Sequence, residues 1–261
     1  MKIYILTDLE GAAGVSRWDQ TRLPDATVDS KAVAMTLLTH EVNAAADGIL
    51  DASPKAEIVV WDGHGNGGID VLAIHPRVQL IARGGPIGPP YFLDESFDAL
   101  FFVGQHAMAG TENAPLAHTY SSLTIEHFKI NGIRVGELGA RAMMAGAMGV
   151  ATCFVAGDDK AVAEARALIP NVHGAVVKWG LGIELARHLS PLAARELIRK
   201  EAAAAVRDIP HIRPLAMKPP YEQEIRVKTG VPIEDYLRRG AERRDERTVI
   251  LRSSDMRNLV V

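Results

Sequence analysis

The chain has 261 residues, 48% of them hydrophobic and 23% charged, with a formal net charge of −3. That length and apolar content suit one large α/β domain, or a main domain with a smaller lobe, and exclude a disordered chain. Acidic and basic residues are mixed along it, which excludes a nucleic-acid footprint and a basic membrane patch. The one cysteine, Cys153, cannot form an intrachain disulfide, and it reads as a buried strand residue in a reducing compartment. Only Met1 and Lys2 precede the first apolar run, and no stretch is long and apolar enough to span a membrane. The sequence therefore predicts a cytoplasmic protein without a leader.

Ile3–Leu6 is a short apolar run, followed by a polar stretch from Asp8 to Ser30 that is long for a loop and so marks a functional segment. Lys31–Leu50 carries Val33, Leu37, Leu38, Val42, Ala45 and Ile49 at helical spacing, which predicts an amphipathic helix. The run Ile58–Trp61 comes next, completing the strand–helix–strand order of a right-handed parallel unit. Gly63 to Pro90 is rich in Gly and Pro, with room for short elements such as Val78–Ile81, and Ala99–Val103 is the next buried strand. Asn131-Gly132 between Leu123–Ile130 and Ile133–Val135 is a hairpin signal.

Gly136–Met148 reads as a small-residue helix and Val150–Val155 as a buried strand, closed by Gly157-Asp158-Asp159 and a helix over Lys160–Leu168. A short strand at Ala175–Val177 comes next. Ser190-Pro191 then opens a helix to about Val206, with Ser as N-cap and Pro at the first helical position. The Pro-rich segment Ile209–Pro220 is the predicted boundary between a catalytic domain, 1–208, and a C-terminal lobe, 209–261. That lobe holds a strand (Glu224–Lys228), a short helix (Ile233–Arg239) and a second strand (Val249–Arg252). The fold class is α/β, a mostly parallel sheet flanked by helices, with a smaller C-terminal α+β lobe.

Three of these runs end in metal-binding residue types: Ile3–Leu6 leads into Asp8 and Glu10, Ile58–Trp61 into His64, and Ala99–Val103 into His106. If the runs are parallel neighbours, their carboxyl ends share the edge at which open α/β sheets bind ligands. Taken alone, each signal has a plain structural reading. Asp8 and Glu10 can be loop carboxylates, His106 a structural imidazole, His118 a surface-loop residue, and Glu137 a helix-dipole carboxylate. Asp62 is placed to orient the His64 imidazole. Together, Asp8, Glu10, His64, His106 and Glu137 form the mixed imidazole–carboxylate set of two-metal hydrolases. Three carboxylates and two neutral imidazoles around two divalent cations leave a net charge of about +1, and the imidazoles favour Zn²⁺ over Mg²⁺.

The stretches Thr7-Asp8-Leu9-Glu10-Gly11, Asp62-Gly63-His64, Gly104-Gln105-His106-Ala107, His118 and Val135-Gly136-Glu137-Leu138-Gly139 occur in order along the chain. With Val155-Ala156-Gly157-Asp158-Asp159 and Leu168-Ile169-Pro170-Asn171-Val172, the sequence resembles the DppA family of zinc-dependent D-aminopeptidases, peptidase family M55, over nearly its whole length. The resemblance implies two zinc ions per subunit on Asp8, Glu10, His64, His106 and Glu137, with Asp8 bridging and His118 acting as base or nucleophile. It also implies short peptides with N-terminal D-amino acids such as D-Ala as substrates, and a homo-oligomer in the form of a ring-shaped decamer. Gly63 stands where founding members carry Ser, and the chain stops soon after Ser253-Ser254-Asp255-Met256, which bears on the expected assembly. For Asp158 the simplest reading is a helix N-cap; the alternative is a carboxylate for the substrate's amino group.

The function read from the sequence is thus a di-zinc aminopeptidase. The alternatives are a di-metal hydrolase of another amide or ester, and a non-catalytic α/β ligand-binding domain with structural histidines. The scarcity of Arg and Lys close to these residues in sequence disfavours a phosphoester.

Overall fold

The computed structural model of the chain describes residues 1–22, 25, 27–82 and 87–259. Residues 23, 24, 26, 83–86, 260 and 261 fall outside them. Its strands are β1 Lys2–Thr7, β2 Glu57–Asp62, β3 Val78–Ile81, β4 Ala99–Gln105, β5 Ile125–Ile130, β6 Ile133–Arg134, β7 Ala151–Asp158, β8 His173–Gly182, β9 Leu185–His188, β10 Tyr221–Val227, β11 Glu242–Arg243 and β12 Thr248–Ser253. The helices are α1 Val28–Ala52, α2 Glu137–Ala147, α3 Asp159–Leu168, α4 Pro191–Asp208 and α5 Glu234–Arg238.

Seven strands form one sheet in the order β3-β2-β1-β4-β7-β8-β9. All of its pairings are parallel except that of β9, which folds back on β8. The strands β4 and β7 are buried at every position, the pattern of a sheet covered on both faces. Helix α1 packs on α4 and α2 on α3, and these helices also touch the central strands. The α1–α4 contact is close at Gly48, where a Cβ would run into the Arg199 carbonyl. The three runs singled out in the sequence are neighbours, with β1 between β2 and β4 and parallel to both. In that register Thr7 lies between Asp62 and Val103, so the three chains leave the sheet side by side.

The second sheet has five strands in the order β11-β12-β10-β5-β6, and it is antiparallel throughout. The segment after Ile209 supplies β10, β11 and β12, and the hairpin β5–β6 completes the sheet by pairing with β10. Asn131 and Gly132 both have positive φ, 48° and 78°, as a type I′ hairpin turn requires.

Helix caps reflect local chemistry. Thr27 accepts from the Ser30 backbone N–H, Asp158 from Lys160 and Ala161, and Ser190 from Ala193. Thr27 starts α1 ahead of the predicted Lys31. The predicted short strand at Ala175–Val177 is the middle of β8, which extends to Gly182 and turns into β9. Lys178 and the glycines at 180 and 182 interrupt the apolar run and hid the continuation. Among the described residues no helix is long and apolar enough to cross a membrane.

Cys153 is fully buried in β7, and burial, with Asp208 adding to it, pushes its thiol up to about 12. The thiolate is the reactive form. Native protein at pH 8 is therefore expected to resist a thiol-specific reagent and to react with one equivalent only when unfolded, a difference read directly by absorbance or mass.

Candidate metal centre

Each side chain of the centre is delivered by the end of a regular element. Asp8 and Glu10 come directly after β1, where the Asp8 N–H donates to the Val103 carbonyl at 2.9 Å and Gly11 N–H to Gly104 at 2.7 Å. These bonds fasten the turn after β1 to the end of β4. Gly104 has φ +80°, and a Cβ on it would overlap the Asp8 carbonyl. Only glycine combines that conformation with so close a backbone approach. His64 lies just past β2 and His106 just past β4. Glu137 is the first residue of α2, and its Oε1 accepts from the Tyr120 backbone N–H at 3.1 Å. His118 comes from the loop between β4 and β5, held by its N–H on the Ala107 carbonyl at 3.2 Å.

The structure brings together all six residues nominated from the sequence. Asp8, Glu10 and His64 form one cluster and His106, His118 and Glu137 another, the donor atoms within each lying within 4.8 Å of one another. Asp8 joins the two clusters: its Oδ1 is 3.2 Å from His64 Nδ1 and its Oδ2 is 3.1 Å from His106 Nε2. Glu10 Oε2 lies 3.1 Å from His64 Nδ1, and Glu137 Oε1 lies 3.2 Å from His106 Nε2 and 4.0 Å from His118 Nε2.

The outward ring nitrogens decide the chemistry. His64 Nε2 lies 3.1 Å from the Thr21 carbonyl, His106 Nδ1 2.9 Å from Ala107, and His118 Nδ1 2.8 Å from Leu116. A carbonyl only accepts, so each of these nitrogens carries the ring hydrogen, an assignment made from the hydrogen-bond network. The inward nitrogen of each neutral ring is then a lone pair, facing carboxylate oxygens that are lone pairs as well. Glu10 Oε2 and His106 Nε2 are buried without an aligned hydrogen bond. Acceptors facing acceptors at 3.1–3.2 Å require positive charge between them, and the donor set suits zinc.

The same need appears in the protonation equilibria. Burial alone would lower His64 and His106, yet the facing carboxylates hold both well above the usual imidazole range. Burial would raise Glu10, and the surrounding imidazoles hold it well below the usual carboxylate range. His118 goes the other way: burial, then the neighbouring His106, lowers it. Its ring stacks on His106 with centroids 4.0 Å apart.

Four residues of the surroundings were not apparent in the sequence: Thr21, Lys178, Glu164 and Arg141. Asp62 does not orient His64; its carboxylate accepts from Gly68 at 2.9 and 3.0 Å and from Ile69, closing the loop that carries the imidazole. The Thr21 carbonyl does the orienting instead. Lys178, fully buried on β8, donates to the backbone carbonyls of Glu10 and, at 2.6 Å, of Val15, so it shapes the turn after β1 from beneath. Glu164 of α3 accepts from Met108 and Gly136, tying the His106 loop to the start of α2. Arg141, one helical turn after Glu137, lines the same cavity of about 430 Å³. The i, i+4 spacing from Glu137 was the available signal, since it places both on one helix face. Asp158 caps α3 and also accepts from Ala107 N–H at 3.1 Å, so it is committed to backbone donors.

Fold and site together define an α/β protein with an imidazole–carboxylate centre at the carboxyl edge of its parallel strands. A model of the M55 peptidase family, D-aminopeptidase, matches residues 1–261. A D-aminopeptidase of Bacillus subtilis (strain 168) is 35% identical, over 82% of this chain and 77% of the relative. A solved structure, "Zn-dependent D-aminopeptidase DppA from Bacillus subtilis, a self-compartmentalizing protease", matches with a TM-score of 0.91 and 29% identity, covering 99% of this chain and 93% of that one. The chain belongs to the M55 D-aminopeptidase family.

Two substitutions test the scaffold. Gly104→Ala is expected to destabilise the protein by about 3 kcal/mol or more, through positive φ and overlap with Asp8. Lys178→Met leaves two buried carbonyls without their donor, at about 1–3 kcal/mol each, and should weaken zinc retention as the Asp8–Glu10 turn loosens. Thermal melts and zinc titration check both; a Lys178→Met protein with unchanged zinc affinity would contradict the positioning role.

Proposed function

We propose that this chain is a zinc-dependent aminopeptidase that removes N-terminal D-amino acids such as D-Ala from short peptides. The observation that carries the reading is the pair of clusters joined by Asp8, with acceptors facing acceptors across each. Asp8, Glu10 and His64 would hold one zinc ion and Asp8, His106 and Glu137 the second, making two per subunit. Zinc bound there supplies Lewis-acid polarisation of the scissile carbonyl and a lowered pKa for water.

His118 is the proposed proton carrier. Its Nδ1–H is committed to the Leu116 carbonyl, which leaves Nε2 basic, and the lowered pKa favours the neutral ring. Nε2 takes a proton from the attacking water and returns it to the departing amine. Trp18 packs edge-on against the His118 ring, centroids 5.7 Å apart, and limits its rotation. The relatives support the peptide substrate and its D configuration. The self-compartmentalizing description of the Bacillus subtilis structure supports assembly of several copies of this chain, for which a ring-shaped decamer is the finer proposal.

The decisive assay compares matched dipeptides differing only in the configuration of the first residue, before and after zinc is stripped with a chelator. Cleavage of the D isomer, lost on stripping and restored by zinc, is the expected result; exclusive cleavage of the L isomer, or of p-nitrophenyl phosphate, would contradict the substrate assignment. His118→Ala should lower kcat by about 10²–10⁴-fold with zinc content unchanged. Near-normal turnover would remove His118 from the reaction, and loss of one zinc would make it a ligand instead.

A further inference from the structure

Helix α2 sends two charged side chains to the crevice, and the proposed reaction uses only Glu137. The other, Arg141, is 6% exposed. Among the described residues its one carboxylate neighbour within 4 Å is Glu137, whose Oε2 is 3.9 Å from Nη2, while Oε1 of the same carboxylate already faces His106. The guanidinium Nε is buried with no hydrogen-bond partner.

Its other neighbours are aromatic faces. Cζ lies 4.8 Å from the ring centroid of Trp61, 5.3 Å from that of Tyr120 and 5.4 Å from that of Tyr91, and the Trp61 and Tyr91 rings stack on each other at 4.1 Å. Ring faces stabilise and orient a cation, but they give its N–H fork no lone pair to bind. Trp61 Nε1 is likewise buried without a partner. Arg141, Trp61 and Tyr91 line the same cavity as Asp8, Glu10 and His118. A guanidinium held this deep, with its Nε–H unspent and the neutral Tyr120 hydroxyl beside it, matches a carboxylate, which accepts two parallel N–H bonds from the fork.

We propose that Arg141 receives the free C-terminal carboxylate of a short peptide substrate, so that the crevice favours a free acid over an amide end. The inference rests on the peptidase reading above. Arg141 Nη2 stands 3.9 Å from Glu137 Oε2, and Arg141 lines the same cavity as the proposed zinc ligands Asp8, Glu10, His64 and Glu137. An amide end offers the fork no charge.

The test measures kcat and KM on the zinc-loaded enzyme for D-Ala-D-Ala and for the same dipeptide as its C-terminal amide. The proteins compared are the wild type, Arg141→Lys and Arg141→Met. The wild type should prefer the free acid by about 10- to 100-fold in kcat/KM, the range of a charge-assisted pair. Arg141→Met should lose that preference mainly through KM, its acid-to-amide ratio of kcat/KM falling close to one. Arg141→Lys, which keeps the charge without the fork, should retain part of it. Equal efficiency of the wild type on acid and amide, or parallel losses on both substrates in the two variants, would overturn the assignment while leaving the peptidase reading intact. Cleavage of neither substrate by the wild type would overturn that reading, and the inference with it.

Discussion

Every structural feature around the crevice serves one electrostatic constraint, the confrontation of lone pairs. Three imidazoles spend their N–H groups outward on the carbonyls of Thr21, Ala107 and Leu116. Their inward nitrogens then face the carboxylates of Asp8, Glu10 and Glu137 with nothing to donate. Without intervening positive charge, burying these groups would be strongly unfavourable. Protonating the rings is one remedy, and the raised His64 and His106 equilibria show the strength of that demand. Divalent cations meet it more fully and add the chemistry that the family's activity needs.

The scaffold makes this confrontation obligatory rather than incidental. Parallel register places the ends of β2, β1 and β4 level at Asp62, Thr7 and Val103. Close backbone contact at Gly104 lets the turn after β1 lie directly on the end of β4. Lys178 from below, and Asp158 and Glu164 from α3 and its cap, pin the loops that carry Glu10 and His106. The ligand-bearing loops are thus fastened by buried and half-buried ionisable side chains bonded to the backbone, a stiffer arrangement than side-chain pairing at a surface. Asp62 plays the same part for the His64 loop.

Much of this was legible in the sequence because it depends on strand order and on residue type at strand ends. Short, continuously apolar runs at Ile3, Ile58 and Ala99 announce buried parallel strands, and the residues just beyond each run are then fixed to one edge. The cap at Ser190-Pro191 and the Asn131-Gly132 turn are local chemistry and were equally readable. Contacts between residues distant in the chain were not. Thr21 acts through a backbone carbonyl, which no side-chain pattern reveals, and Lys178 lies far along the chain from the turn it shapes. Arg141 left only its helical spacing from Glu137 as a trace, so counting Arg and Lys close in sequence underestimated the positive charge at the crevice. The pairing of β5 with β10 is a further long-range choice, invisible until both strands are seen in one sheet.

We propose that the Asp8 carboxylate would be shared between two cation positions, one with Glu10 and His64 and one with His106 and Glu137. Anomalous diffraction at the zinc edge, on crystals of the wild-type protein grown with zinc, tests it directly. Two strong peaks are expected, one on each side of the Asp8 carboxylate, the first also contacted by Glu10 and His64 and the second by His106 and Glu137. A single peak without an Asp8 contact, or no peak in this crevice, would contradict it.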